Sequence, residues 1–291
     1  MEQRVIFMGT PNFSVPSLDA LFEASGFEVV GVFTRLDSAK GRGRRVSFSP
    51  VKSRAVELKI PVFQPISKES LVAQVQELNP TLIVVIAYGV ILPKCLTDTI
   101  LCVNLHASLL PKYRGASPIH AALLANDTES GVTLIRMNEL MDEGNEIDKV
   151  HISIKADDDF GTLHDELAGL SATVLITFLC KLLGVDDPPE RTDLYLKGTL
   201  QNSEGVSYCK KLDKATFELK STDSLEEKLG KIKAFSPVPG AYVVWKEKRV
   251  KIIKAEVVEG KIIPLLVKPE GKKLMTYHDF CLGHKGEDLP C

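Results

Sequence analysis

Residues 81–115 read TLIVVIAYGVILPKCLTDTILCVNLHASLLPKYRG and contain two short apolar runs, at 81–87 and 100–105. Each run has the length of a strand, and the first has the unbroken apolar character of a strand buried on both faces. Helices are predicted on either side, at 68–78 and near 118–124. Strands and helices that alternate at this spacing favour a parallel sheet with helices on both faces.

The alternation extends in both directions and predicts a first domain at 1–187. Further strands are expected at 5–8, 28–34, 61–64, 131–137 and 146–154, and further helices at 15–22, 51–58 and 160–183. The sequence DDPPE at 186–190 ends the last of these helices, because proline cannot continue a helix. A polar linker is predicted at 188–204.

Residues 205–291 have the pattern of a small β domain. A helix is predicted at 224–234, and strands are predicted at 241–245, 250–258 and 262–267. Short strands with tight turns favour a small barrel of the oligonucleotide-binding (OB) type. The expected fold class is therefore α/β, with a Rossmann-like parallel-sheet domain followed by an OB-like β-barrel domain.

The composition is that of an average globular protein. The chain has 291 residues, of which 44% are hydrophobic and 25% charged, and this excludes the disordered and fibrous classes. No apolar run approaches the ~18 residues that a membrane span needs, and the chain enters a strand at once, so we expect neither a membrane span nor a signal peptide. Six scattered cysteines without a C-x-x-C pair predict reduced thiols, a cytoplasmic protein and no metal site.

The near-neutral total charge conceals an asymmetry. Residues 1–204 hold 19 Lys/Arg and 26 Asp/Glu, a balance of −7, whereas residues 205–291 hold 17 and 12, a balance of +5. Within the first region, seven of the basic residues and only one acidic residue lie from Arg35 to Arg54. Two basic regions suit a polyanionic partner such as a nucleic acid; on charge alone, two solvated surfaces are an equally good interpretation.

Two nucleotide-binding motifs are missing. Only Gly9 follows the first strand, so the G-x-G-x-x-G fingerprint of dinucleotide-binding domains is absent. The sequence GRGRR at 41–45 has no Lys-Ser/Thr after its glycines, which excludes a Walker motif. A phosphate-binding role by charge fits this basic loop, whereas nucleoside triphosphate hydrolysis does not.

Candidate catalytic residues lie at the end of the predicted strand at 100–105. Asn104 and His106 are two residues apart, so both side chains point to one face of the sheet. They lie at the carboxyl end of the strand, where open α/β sheets bind their ligands. An amide and an imidazole suit an acyl carbon under attack, since both can donate to a developing oxyanion. A capped strand end with a structural histidine is an equally good interpretation of this pair alone.

Asp142 is the third candidate, in the sequence NELMDEGN at 138–145. It follows an apolar stretch and precedes Gly144, which predicts a carboxylate on a tight turn. A carboxylate beside His106 would orient the imidazole. The alternative is an aspartate that only forms the turn, and sequence spacing cannot show whether Asp142 meets His106.

Five segments in order resemble the methionyl-tRNA formyltransferases, which belong to the formyltetrahydrofolate-dependent formyltransferases, and the resemblance spans nearly the whole chain. They are FMGTPNF at 7–13, the basic loop from GRG at 41–43 to SPVK at 49–52, AYGVILP at 87–93, NLHASLLP with RG at 104–115, and D-x-G at 142–144. Each segment alone is a weak signal, whereas the ordered set is specific.

The resemblance implies formyl transfer from 10-formyltetrahydrofolate to the α-amino group of methionyl-initiator tRNA, by an enzyme that needs no metal. Asn104 and His106 would stabilise the oxyanion, and Asp142 would hold His106 and assist proton transfer from the amine. By the same resemblance the folate would contact Ile86, Tyr88, Gly89, Ile91, Leu92, Ser108, Leu109, Leu110 and Pro111. The tRNA would contact Lys40, Arg42, Arg44 and Arg45 and the basic C-terminal domain, and the enzyme would be a monomer.

One departure from the family concerns the C-terminal domain. Only residues 261–268 separate VVEG at 257–260 from PEGKKLM at 269–275, where the family usually has a longer run of strands. We therefore expect a shortened barrel.

Three alternative functions make different predictions about this sequence. A sugar-nucleotide N-formyltransferase would share the catalytic trio, but such enzymes generally lack the basic insertion and this C-terminal domain. A formyltetrahydrofolate hydrolase would not need two basic surfaces. A nucleic-acid-binding protein on an inactive transferase scaffold would be expected to lack part of the trio.

Overall fold

A computed structural model describes residues 2–40, 45–184, 195–284 and 289–290, with residues 39, 40, 45 and 46 described by backbone only. The chain forms two compact units, which are described separately. The first comprises Met1–Gly115, Gly131–His151 and Asp165–Tyr208, and the second comprises Ala116–Ser130, Ile152–His164 and Cys209–Cys291.

The described strands are β1 Gln3–Gly9, β2 Phe27–Phe33, β3 Ser38–Lys40, β4 Arg45–Ser47, β5 Val62–Phe63, β6 Leu82–Ile86, β7 Leu101–His106, β8 Arg114–Gly115, β9 Glu129–Arg136, β10 Asn145–Ser153, β11 Tyr208–Cys209, β12 Ala241–Trp245, β13 Lys248–Val258, β14 Lys261–Pro269 and β15 Met275–Thr276. The described helices are α1 Val15–Glu23, α2 Pro50–Glu57, α3 Lys68–Leu78, α4 Lys94–Thr97, α5 Pro118–Leu124, α6 Phe160–Leu182, α7 Leu225–Phe235 and α8 Tyr277–Gly283. Short 3-10 turns occur at Asn12–Ser14 and Lys214–Phe217.

A seven-stranded sheet in the order β10-β9-β7-β6-β1-β2-β5 organises the first unit. The pairs from β7 to β5 are parallel, whereas β9 runs antiparallel to β7, so the sheet is mixed and the expectation of a parallel sheet holds only in part. The reason lies in the connection after β7. Helix α5, which lies in this connection, belongs to the second unit, and an antiparallel pair needs no β-α-β crossover.

Local sequence explains where the helices of the first unit begin and end. Ser49 caps α2 by accepting from the amide of Lys52, and Pro50 occupies the first turn. Ser67 and Ser70 form a reciprocal capping box at α3, and Asn79 ends that helix in the left-handed conformation. All five residues of β6 are buried, as the unbroken apolar run predicts.

Helix α6 is long and apolar enough to cross a membrane by length and composition alone. Its buried residues recur at helical spacing, at Leu167, Ser171, Val174 and Phe178, while Glu166 and Thr173 on the other side are exposed. One buried face and one exposed polar face are typical of a helix that packs on a protein core.

The second unit contains a four-stranded antiparallel sheet in the order β12-β13-β14-β15. The small β domain expected after the α/β domain is therefore confirmed. A single strand, β14, occupies the short interval at 261–268. The described end of the expected linker, 195–204, belongs to the first unit, where Thr199 and Glu146 exchange backbone hydrogen bonds.

Candidate active site

Asn104 and His106 occupy the carboxyl end of β7 and are almost fully buried, at 8% and 6% exposure. Their side chains lie on one side of the sheet, as their spacing of two residues predicts. Val85 at the end of β6 pairs in register with Asn104, so the loop after Ile86 begins beside these two residues. The carboxyl ends of these parallel strands thus bring together the two segments assigned to catalysis and to folate binding.

Asp142 reaches this strand end from the loop between β9 and β10. Its Oδ1 accepts a hydrogen bond from Asn104 Nδ2 at 3.3 Å and lies 3.6 Å from His106 Nδ1, while its Oδ2 accepts from the amide of Gly115 at 2.8 Å. The structure therefore brings all three candidate catalytic residues together. Asp142 has φ of 57°, a left-handed conformation that non-glycine residues rarely adopt.

Gly144 permits this tight loop. A Cβ at this position would lie 2.0 Å from the carbonyl oxygen of Arg136, which is closer than any real contact. The backbone of the loop can therefore approach the end of β9 only because residue 144 has no side chain.

The imidazole of His106 is oriented mainly by a main-chain carbonyl. His106 Nε2 lies 2.9 Å from the carbonyl oxygen of Tyr113. Since a carbonyl oxygen can only accept, Nε2 must carry the hydrogen, and Nδ1 is the nitrogen that faces Asp142. The distance of 3.6 Å from Nδ1 to Asp142 exceeds a hydrogen bond, so the hydrogen bond that orients the ring is the one to Tyr113.

The SLLP segment that follows β7 is folded by buried polar contacts. Ser108 Oγ donates to the carbonyl of Lys112 at 2.6 Å, and its own carbonyl accepts from Thr133 at 2.7 Å. The amide of Leu110 donates to the same Thr133 hydroxyl, and Lys149 Nζ donates to the carbonyl of Leu110. Of the four candidate folate contacts here, Ser108 and Leu110 are buried, and Leu109 and Pro111 are partly exposed.

The loop after β6 combines unusual backbone with exposed apolar side chains. Ala87 and Gly89 have φ of 48° and 80°, and Ile91 is 50% exposed. Ile86, Tyr88 and Leu92 are buried, and burial raises the pKa of the Tyr88 hydroxyl to about 12. In this loop the backbone and Ile91 are accessible to a ligand, whereas the three buried side chains pack in the core.

The basic loop is only partly described. Arg42 and Arg44 lie outside the described residues, and for Lys40 and Arg45 the backbone shows a short antiparallel pairing of β3 with β4. At the base of this hairpin, Lys52 Nζ forms an ion pair with Asp37 at 2.5 Å and donates to Gln64 at 2.8 Å. The hydrogen bond from Lys52 keeps the pKa of the Asp37 carboxyl below its usual value.

Several residues of the site escaped sequence reasoning. Gln201, within the expected linker, contacts the backbone of the Asp142 loop, and Tyr208, just after the linker, contacts Arg114. Neither lies in one of the five motif segments, so only the tertiary contact identifies them. Among the described residues, no group of three or more His, Cys, Asp or Glu side chains could hold a metal ion.

Comparisons with known proteins place both parts of the chain in one family. Residues 3–179 match a family model described as formyl transferase, and residues 211–264 match one described as formyl transferase, C-terminal domain. A methionyl-tRNA formyltransferase of Caldanaerobacter subterraneus is 37% identical over 97% of both chains. One of Halorhodospira halophila is 41% identical over 90% of this chain and 82% of its own.

Solved structures share the fold. A methionyl-tRNA formyltransferase from Clostridium thermocellum superposes with a TM-score of 0.58 at 17% identity, covering 92% of this chain and 98% of its own. A sugar 3N-formyltransferase, WlaRD, superposes with a TM-score of 0.65 at 18% identity, covering 95% and 97%. At these identities the structures support the fold and do not distinguish between acceptors.

Proposed function

The chain belongs to the formyl transferase family, and from that premise we propose that it transfers the formyl group of 10-formyltetrahydrofolate to the α-amino group of methionyl-initiator tRNA. The product is formylmethionyl-tRNA for the initiation of translation. The observation that carries the proposal is the meeting of Asn104, His106 and Asp142 at one strand end. The relatives at 36–41% identity, all methionyl-tRNA formyltransferases, support the choice of acceptor.

The chemistry assigned to the trio is the attack of an amine on a formyl carbon. A carbon–nitrogen bond forms to the methionyl nitrogen, the bond to the folate nitrogen breaks, and one proton passes from the amine to the leaving nitrogen. Asn104 Nδ2 has a second hydrogen besides the one that it donates to Asp142, and this hydrogen is available for the developing oxyanion. The Asp142 carboxylate accepts the proton of the attacking amine.

His106 donates to the same oxyanion when its Nδ1 carries a proton. Nε2–H is already engaged by the carbonyl of Tyr113, so Nδ1 is the nitrogen left for the reaction. His106 Nδ1 lies 3.6 Å from Asp142 Oδ1. Two donors in a buried site act in a low dielectric, which strengthens their effect on a developing charge.

The folate donor fits the loop at 86–92. Val90 and Ile91 offer apolar side chains at 38% and 50% exposure. Positive φ angles at Ala87 and Gly89 turn the backbone sharply next to Asn104, which favours hydrogen bonding of a heterocycle edge by main-chain groups. We assign Ser108, Leu110, Ile86, Tyr88 and Leu92 to the support of this surface, because their side chains are buried.

The second unit offers a basic sheet face for the tRNA backbone. Val250 and Ile252 of β13 are buried, so Arg249 and Lys251, which alternate with them, lie on the opposite face. Tyr242, Lys251 and Lys268 occupy one cross-strand row, and the Arg249 guanidinium lies 4.7 Å from the Tyr242 ring centre. We call this set of four residues the basic face.

Lys251 and Lys268 lie directly opposite each other, so their positive charges repel, and a bound anion would remove this repulsion. Phosphate contacts of this kind, with an aromatic ring for stacking, are typical of nucleic-acid surfaces. The basic loop with Lys40, Arg42, Arg44 and Arg45 is the second tRNA contact in this proposal. The enzyme acts in the cytoplasm, where tRNA is charged, and as a monomer.

The test measures formyl transfer from 10-formyltetrahydrofolate to charged initiator methionyl-tRNA, beside an amino-sugar nucleotide and a control without acceptor. Formylmethionyl-tRNA as the main product supports the proposal. Formylation of the sugar would favour the sugar-nucleotide N-formyltransferase, and release of formate alone would favour a hydrolase. No turnover with any acceptor would indicate an inactive scaffold.

A further inference from the structure

The backbone of the Asp142 loop is held by a side chain 59 residues further along the chain. Gln201 Nε2 donates to the carbonyl oxygens of Asp142 and Gly144 at 2.8 and 2.9 Å. Its Oε1 accepts from Nε and Nη2 of Arg114 at 3.1 and 2.7 Å. A primary amide has two donor hydrogens and two acceptor lone pairs, so this side chain is fully satisfied.

The chemistry of the partners fixes the orientation of this amide. Carbonyl oxygens can only accept and a guanidinium can only donate, so the opposite flip of Gln201 would lose all four hydrogen bonds. Gln201 therefore links the backbone of the Asp142 loop to Arg114 through hydrogen bonds at both ends of its amide.

Arg114 is itself fixed. It is buried, its Nη1 forms an ion pair with Glu143 at 3.2 Å, and the same nitrogen donates to the Tyr208 hydroxyl at 3.2 Å. Tyr208 in turn donates to Glu143 at 3.0 Å. The backbone pairing of Thr199 with Glu146 anchors the segment that carries Gln201. Hydrogen bonds therefore hold both Arg114 and the segment of Gln201 in place.

The Asp142 backbone needs such support. Asp142 has a left-handed backbone conformation that is unfavourable for a non-glycine residue and persists only when the surroundings hold it. The carboxylate contacts of Asp142 fix the side chain, and Gln201 fixes the main chain on both sides of residue 143. A shift of about 1 Å at a reacting group can cost about 100-fold in rate.

We propose that Gln201 is a positioning residue that holds Asp142 in its catalytic conformation, so that the segment at 199–208 is part of the active site and not only a connection between the two domains. The inference rests on the proposed function, because Asp142 is catalytic only if formyl transfer occurs here. Gln201 touches no reacting atom and acts through Asp142.

Gln201→Glu removes the two hydrogen bonds to the Asp142 loop with almost no change in the shape of the side chain. Glutamate still accepts from Arg114 but cannot donate to the carbonyls of Asp142 and Gly144. We expect kcat to fall by about 10- to 100-fold, with KM for both substrates within about threefold of the wild type. The melting temperature should change little, because the Arg114 contact is kept. Gln201→Met is similar in size and introduces no charge. Its kcat should fall by a similar factor, which would show that the loss in Gln201→Glu does not come from the new negative charge.

A double-mutant cycle separates positioning from a general loss of structure. In the Asp142→Asn background, measured by single turnover at high enzyme concentration, Gln201→Glu should cost less than about threefold, because the residue through which it acts is already changed. Gln76→Glu, the same substitution at an exposed position of α3, is the matched control and should keep the wild-type kcat.

Two outcomes overturn the inference while the function stands: an active wild type with unchanged kcat in Gln201→Glu, or the same loss of activity in both Asp142 backgrounds. If the wild-type enzyme formylates no acceptor, the proposed function fails and the inference fails with it.

Discussion

The candidate catalytic residues of the first unit and the basic face of the second unit use polar side chains in opposite ways. Asn104 and His106 are less than 10% exposed, and protein atoms fix their orientation. Arg249 and Lys268 are exposed on a sheet. Buried and satisfied groups act at fixed distances in a low dielectric, whereas exposed cations are screened by salt. The comparison teaches that the first region should govern kcat and the second should govern affinity for a polyanion.

The largest expected effect is the loss of a catalytic side chain. Asn104→Ala, His106→Ala and Asp142→Ala should each lower kcat by about 100- to 1000-fold, because an oxyanion donor or the proton acceptor is removed. The loss should be the same at about 50 and 200 mM salt, since the site is shielded from solvent ions. Steady-state formylation at both concentrations measures it. Full activity in any of the three variants would contradict the assignment.

Gly144→Ala should come next. The added methyl group would meet the carbonyl oxygen of Arg136 at 2.0 Å and displace the Asp142 loop, so we expect kcat to fall by about 10-fold or more, with a lower melting temperature. Gly169→Ala in α6 is the matched control, because nothing lies within 4 Å of its added Cβ. Equal activity of the two variants would show that the loop tolerates displacement.

Changes on the basic face should have smaller effects that depend on salt. Arg249→Gln and Lys268→Gln should each weaken tRNA binding by about 3- to 10-fold at low salt and reduce the salt slope by about one. The kcat at saturating tRNA should be unchanged. Binding titrations across a salt series measure both quantities, with the exposed Glu256→Gln as control. An affinity that does not vary with salt would remove the electrostatic basis of the proposal.

The last prediction concerns the pH dependence of the free energy of unfolding, which reports on the interior of the second unit. His120 stacks on Phe160 with ring centres 4.0 Å apart, and burial lowers its pKa to about 4 from 6.5, helped by the nearby His164. The unfolded chain therefore takes up a proton at higher pH than the folded chain does. Stability should be complete above about pH 6.5 and decrease as the pH falls towards 4.

His120→Phe removes this titration. The stability lost between pH 7 and 4.5 should be about 2 kcal/mol smaller in the variant than in the wild type. Urea unfolding at the two pH values measures the difference, and the carboxylates common to both proteins cancel. Parallel loss in wild type and variant would show that His120 is not buried as a neutral ring.

The sequence predicted most of the helices and strands. The helices at Lys68–Leu78 and Pro118–Leu124 begin and end where predicted, and β6 and β7 agree within a residue or two. It did not anticipate the β3–β4 hairpin, the short helix α4 or the reversed direction of β9. Periodicity reports which face of an element is buried, and it carries no information about the direction in which a strand enters a sheet.

The alternation of strands and helices determined the fold class, and the order and spacing of the motif segments indicated the family. The spacing of two residues placed Asn104 and His106 on one side of the sheet. Only the tertiary structure decided that Asp142 meets them across 38 residues, that the Tyr113 carbonyl selects the nitrogen of His106 that faces the reaction, and that Gln201 clamps the loop from 59 residues away. These contacts join segments distant in sequence, and hydrogen-bond geometry between such segments exists only once the chain has packed.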